Sequence, residues 1–212
     1  MATVRRRLLV IAGPSGVGKD TVTRALLDRN PLVFRAKTYT TRKPRAGERE
    51  AGQYYFVSRA EFEAKYATGE IMERTEVYGT GDLYGMPADL LSAAPGDKAF
   101  VLAEVDVNGK DFLVERFPGQ CVTVFLTAPP HVLRQRIISR AQEEGRAPQD
   151  LEARLEKARE HMRRAATFDY LVINEEGQLE ATIAAIEAIV LAERLRMPPD
   201  LDLERAFFSN TA

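Results

Sequence analysis

The run Gly13-Pro14-Ser15-Gly16-Val17-Gly18-Lys19 constrains the fold more than any other stretch of the chain. It fits the pattern G-x-x-x-x-G-K, in which glycines let backbone N–H groups turn inward around phosphate oxygens and the lysine reaches the outer phosphates. Its flanks supply the context such a loop needs. Leu8-Leu9-Val10-Ile11-Ala12 is a continuous apolar run ending at a glycine, which reads as a buried parallel strand. Beyond the loop, Val22, Ala25 and Leu26 fall at helical spacing within 20–27. The loop therefore opens a helix whose N-terminus adds partial positive charge. Strand, glycine-rich turn and helix begin a doubly wound α/β fold.

Further buried strands are expected over 100–105, 122–126 and 170–173, and helices over 131–141 and 151–166. A last helix over 179–195 carries Ile183, Ile186 and Val190 on one face and stops before Pro198-Pro199. Residues 37–97 differ in character. They hold Pro44, several glycines, dense charge and six of the seven tyrosines. This stretch reads as an inserted subdomain of short strands with one helix over 59–68. The polar segment 142–150 reads as a mobile flap. Residues 1–36 and 98–197 then form the core, and 198–212, with Phe207-Phe208, form a tail.

Composition narrows the classes of partner. Thirty Lys and Arg against 31 Asp and Glu give a net charge of −1, so no global basic field exists for nucleic acid. Cys121 is the single cysteine, which excludes an intramolecular disulfide or a cysteine-rich zinc site and fits a reducing cytoplasm. The apolar runs fall short of the ~18 residues a membrane helix needs. The run after Arg5-Arg6-Arg7 is also too short for a signal-peptide core. A cytoplasmic protein without nucleic-acid or membrane partners is expected, either monomer or homodimer.

Two clusters carry candidate chemistry. The last position of the phosphate-loop pattern is normally Ser or Thr, whose hydroxyl holds Mg²⁺. Here it is Asp20. A carboxylate beside triphosphate oxygens is repulsive unless a cation lies between them. Asp20 therefore either ligates Mg²⁺ directly or faces away as a first-turn residue favoured by the helix dipole. Thr21 is no simple substitute, because one step along a helix rotates a side chain by about 100°. The second cluster is Thr40-Thr41-Arg42-Lys43-Pro44-Arg45-Ala46-Gly47-Glu48, followed by Gly52-Gln53-Tyr54-Tyr55-Phe56. Two guanidinium forks and a tyrosine hydroxyl around a proline-stiffened turn suit a dianionic phosphate, and Glu48 is placed to orient an arginine.

These residues resemble the guanylate kinase family. The resemblance is carried by the phosphate loop, T-T-R-x-P-R-x-G-E, Tyr54-Tyr55-Phe56-Val57-Ser58, Tyr84-Gly85, Glu104-Val105-Asp106-Val107-Asn108-Gly109, Ala128-Pro129-Pro130 and Asp169-Tyr170. They occur in that family's order and spacing across about residues 7–195. The resemblance implies a P-loop nucleoside monophosphate kinase fold: a parallel core sheet with helices on both faces, a small α+β subdomain for the acceptor, and a lid at about 140–155. It implies transfer of the γ-phosphoryl of ATP, with Mg²⁺, to GMP or dGMP, giving ADP and GDP.

By position, ATP is expected at Gly13, Pro14, Ser15, Gly16, Val17, Gly18, Lys19, Asp20, Thr21 and Asn174. The acceptor phosphate is expected at Arg42, Arg45, Tyr54 and Tyr84, with Glu48 beside them. The guanine is expected at Thr38, Glu73 and Asp106. Guanine offers N1–H and N2–H₂ as donors, which carboxylates accept, whereas adenine has an unprotonated N1. Lys19, Arg136, Arg140 and Arg154 are expected to stabilise the transferring phosphoryl, and Asp20 and Glu104 to serve the metal. Three positions depart from the family pattern: Asp20, the longer link 79–84, and Met86, where a hydroxyl residue is usual. The G-K-D variant also resembles ribose 1,5-bisphosphate phosphokinases, which make phosphoribosyl diphosphate. A non-catalytic guanylate-kinase-like binding module is the third alternative, although such modules typically lose the phosphate loop that this chain keeps.

Overall fold

The computed structural model of the protein describes residues 6–44, 54–76, 81–143 and 148–197, with side chains omitted from 140 to 150. Its larger sheet has five parallel strands in the order β2 (Val33–Arg35), β7 (Phe100–Glu104), β1 (Arg7–Ala12), β8 (Cys121–Thr127) and β9 (Tyr170–Ile173). β1 lies at the centre, and Leu8 to Ala12 are 0% exposed. Alternate residues of this strand feed two cores. Leu9 and Ile11 pack with Val122, Val124 and Leu126 against Val22 and Leu26 of helix α1 (Lys19–Arg29). Ile183, Ile186 and Val190 of the last helix, α6 (Leu179–Leu195), close the same face. Leu8 and Val10 point the other way, into a cluster with Val101, Ala103, Met86, Leu90 and Leu113. Leu113 belongs to helix α3 (Val107–Arg116). Burial on both faces is why these strands read as unbroken apolar runs. Each fully buried Leu, Ile or Val contributes roughly 1.5–3 kcal/mol.

Beyond β8, α4 (Pro130–Glu143) packs against α5 (Pro148–Arg163). Of the segment 142–150 expected as a flap, 142–143 continue α4 and 148–150 begin α5, while 144–147 lie outside the described residues. A helix to 166 was expected, but α5 ends at Arg163 and a 3₁₀ turn spans Ala165–Thr167. Asp169 then sets the register of β9. Its Oδ2 accepts from Thr123 N (2.8 Å) and Thr123 Oγ1 (2.7 Å), while its own N–H donates to Thr123 Oγ1 (2.9 Å). The buried carboxylate of Glu193 ties α6 to the sheet, accepting from Arg7, from Tyr170 OH (2.5 Å) and from Arg196 (2.6 Å).

A second sheet has the order β4 (Tyr54–Phe56), β3 (Thr38–Thr40), β6 (Leu83–Gly85) and β5 (Thr75–Glu76). Only Ala36 and Lys37 separate β2 of the large sheet from β3 of the small one. Helix α2 (Arg59–Ala67) covers the small sheet with Phe62, which packs on Tyr39, Ile71 and Leu83. A capping box starts this helix. Ser58 Oγ accepts from Glu61 N (3.2 Å), and Glu61 Oε2 accepts from Ser58 N (2.7 Å).

Candidate active site

The phosphate loop follows β1 directly and ends on α1. Gly16 and Gly18 take φ of 86° and 88°, a left-handed backbone that favours glycine. Gly13 is fixed by crowding instead: a Cβ there would lie 1.9 Å from Leu126 O. Lys19 Nζ donates to Gly13 O (2.8 Å) and Pro14 O (3.2 Å). Asn174, expected at the donor nucleotide, holds the backbone of the loop. It is buried, with its amide donating to Val17 O (2.8 Å) and accepting from Thr182 Oγ1 (3.2 Å). That side chain braces the loop from Val17.

In front of the loop lies a cavity of about 510 Å³. Gly13, Ser15, Gly16, Gly18, Lys19, Asp20 and Thr21 form one wall, while Pro14 and Val17 do not reach it. Arg136 of α4 enters from another side and donates to Val17 O (3.4 Å). Helix α5 closes the cavity with Arg154, Lys157, Ala158 and His161. The side chain of Arg140 lies outside the described residues.

A second cavity, of about 380 Å³, lies between the two sheets. Thr38, Glu73, Met86 and Asp106 line it, together with Tyr54, Tyr84 and Arg35. Asp106 also caps α3, its Oδ1 accepting from Gly109 N (2.9 Å), so one carboxylate oxygen remains for a ligand. Glu73 is half-buried and accepts from Thr75 Oγ1. Burial raises its pKa above the usual carboxylate value, the Thr75 hydrogen bond opposes that, and Asp106 adds to it. At the outer end, Arg42 donates from Nε to Tyr84 OH (2.9 Å) and from NH1 to Lys43 O (2.8 Å). Its guanidinium sits over the rings of Tyr54 (5.7 Å) and Phe56 (5.8 Å). Burial pushes the Tyr54 phenol up, so its hydroxyl stays a donor. Arg45 and Glu48 lie outside the described residues.

The two cavities share Lys19, Glu104 and Asp106. Glu104 ends β7, and its Oε2 accepts from Thr23 Oγ1 (2.9 Å) and Arg35 NH2 (2.6 Å). Burial and then the neighbouring Asp20 raise its pKa, while Arg35 and Thr23 hold it down. Two facing carboxylates beside a phosphate loop suit a hard divalent cation. Among the described residues no cluster of three or more acidic, His or Cys side chains forms. A pair of carboxylates beside phosphates is a set that could hold Mg²⁺, which takes one or two carboxylates and completes its shell with phosphates and water. Arg35 is a site residue that sequence reasoning missed, and its signal was a basic residue ending a short apolar stretch. His161 and Lys157 were missed as well.

A parallel sheet whose central strand feeds a phosphate loop, with a second cavity opening onto the same lysine, defines a P-loop kinase of small phosphorylated acceptors. The family profile "Guanylate kinase" matches residues 5–193. The guanylate kinase of Symbiobacterium thermophilum is 37% identical over 190 residues, covering 89% of this chain and 86% of that one. That of Gloeobacter violaceus is 39% identical over 190 residues, covering 88% of each. The crystal structure of guanylate kinase from Anaplasma phagocytophilum superposes with a TM-score of 0.68 at 29% identity, over 92% of this chain and 89% of that one. The chain belongs to the guanylate kinase family. Among the described residues no helix is long and apolar enough to cross a membrane.

Proposed function

We propose that the protein transfers the γ-phosphoryl group of ATP to GMP or dGMP, releasing ADP and GDP. The observation that carries this reading is the pair of cavities meeting at Lys19, Glu104 and Asp106. One is built for a polyphosphate. The other is lined by two carboxylates, Glu73 and Asp106, and by Tyr54 and Tyr84, which Arg42 joins into an arginine–tyrosine clamp. Glu73 and Asp106 accept the N1–H and N2–H₂ donors of guanine. An adenine in their place leaves buried acceptors unpaired, at about 1–3 kcal/mol each. Thr38 offers a hydroxyl toward O6. Met86, 4% exposed, forms an apolar wall for the base.

Arg42, Tyr54 and Tyr84 hold the acceptor's phosphate, and Arg45 adds a second fork to them. Lys19, Arg136 and Arg154, with Arg140 from the same helix as Arg136, neutralise the oxygens of the group in flight. The attacking atom is itself a phosphate oxygen, so positioning and charge suffice without a side-chain base. Asp20 would hold Mg²⁺, with Glu104 behind it or through water. When bound, Mg²⁺ screens the charge between the two sets of phosphates. The core is assigned to 1–36 and 98–197, the acceptor subdomain to 37–97 and the lid to about 140–155.

The test is ADP formation from Mg·ATP with GMP, dGMP, AMP, UMP and ribose 1,5-bisphosphate. GMP and dGMP are expected to drive turnover, AMP and UMP are not, and Lys19→Ala abolishes it. Glu73→Gln should lower kcat/KM for GMP roughly 10- to 100-fold, the value of one charged hydrogen bond, and leave ATP affinity intact. A sugar bisphosphate that outperforms GMP overturns the guanine reading.

A further inference from the structure

Of the four α5 residues that line the phosphate cavity, the three polar ones, Arg154, Lys157 and His161, have the spacing i, i+3, i+7, which places them on one helix face. The next stripe of the same helix, Leu151, Leu155, Ala158 and Met162, packs into the main core. His161 stands out among the cavity-facing three. It is 6% exposed, and its Nδ1 is sealed from solvent with no hydrogen-bond partner. An apolar side chain would fill the same volume without orphaning a ring nitrogen, so packing does not account for an imidazole here.

The surroundings define its protonation state. Burial lowers its pKa below the usual histidine value. Lys157 on the same helix and Lys19 across the cavity act in the same direction, against Asp106 at the start of α3 and Glu160 on α5. The ring enters as neutral imidazole, with one N–H and one lone pair. With Nδ1 enclosed, a bare nitrogen there is less costly than an orphaned N–H, which assigns the hydrogen to Nε2 on the cavity side. The ring feels both Lys19 and Asp106, the residues at which the two cavities join.

We propose that His161 is a further ligand of the transferring phosphoryl group, its Nε2–H donating to a phosphate oxygen from the α5 wall of the cavity. The proposal rests on the phosphoryl-transfer reading above. An uncharged donor adds direction where the surrounding lysines and arginines add charge. Its hydrogen bond is directed at the oxygens of the flattened phosphoryl group in flight, a geometry made only in the transition state, so it acts on kcat more than on substrate KM.

The experiment compares wild type with His161→Leu, His161→Asn and His161→Gln in GMP-dependent ADP formation, alongside their melting temperatures. Glutamine places its amide near Nε2, whereas asparagine reaches only to Nδ1. The Leu and Asn variants should lose roughly 5- to 50-fold in kcat, with KM for ATP and GMP within about threefold of wild type, and Gln should recover most of the loss. Full kcat in His161→Leu overturns the proposal. So does an equal loss in all three variants, or a loss that follows melting temperature, since either marks a packing role. A wild-type protein that does not turn over GMP overturns the underlying reading and this inference with it. Normal wild-type turnover with indifferent variants overturns this inference alone.

Discussion

Cys121 shows how one residue's neighbours set its chemistry. It opens β8 half-buried, with Sγ 3.4 Å from Leu113 O and 3.7 Å from Phe117 O. Burial, and then the charge of Asp169, push the thiol up to about 11, with Arg7 opposing. At pH 8 the thiolate population falls by about two orders of magnitude, and higher intrinsic nucleophilicity returns only part of that. Alkylation by iodoacetamide should therefore run roughly 10- to 100-fold slower in the native protein than in urea. Equal rates would mean the thiol is not enclosed. The phosphate loop was legible in the sequence because it is contiguous, whereas Tyr84, which bonds Arg42 across 42 residues, was reached only through the family resemblance. Arg35 and His161 were not legible, since each acquires meaning only from residues far along the chain: Glu104 for one, Lys19 and Asp106 for the other.

The elements found by pattern were the long or strongly apolar ones: β1, β7, β8 and β9 of the large sheet, and α1, α2, α4, α5 and α6. β2 was missed because three residues carry no periodicity. α3 was missed because Asn108-Gly109 reads as a turn, when Gly109 in fact donates its N–H to the capping carboxylate of Asp106. β6 supplies a prediction at this scale. A Cβ on Gly85 would come within 2.4 Å of Ile71 Cγ2, 2.5 Å of Glu73 O and 2.8 Å of Phe62 Cζ. Gly85→Ala must push β6 away from α2 and from the backbone that carries Glu73. Calorimetric titration should then show GMP affinity reduced roughly tenfold or more, at about 1–3 kcal/mol of overpacking, with ATP affinity unchanged. Equal loss for both nucleotides would place the damage in the main core. Ser58→Ala, which removes the α2 capping box, should cost about 1 kcal/mol in the same lobe.

Across the whole molecule the two sheets are held very unequally. Among the described residues the small sheet rests on a core of Tyr39, Phe62, Ile71 and Leu83, whereas the large one is enclosed on both faces. Hydrogen exchange should find amides of β3, β4 and β6 opening at a free energy several kcal/mol below that of β1 and β8, and GMP should narrow the gap. Uniform protection without ligand would mean one cooperative unit. The order of the large sheet also bears on how the protein is made. β1 leaves the ribosome before its partners, yet it sits between strands that begin at Phe100 and Cys121. At about 5–20 residues per second, the phosphate-loop strand waits on the order of 5–20 s for both neighbours to be synthesised. Through that interval Leu8 to Ile11 present an unpaired apolar edge, the kind of segment a chaperone at the exit tunnel would hold.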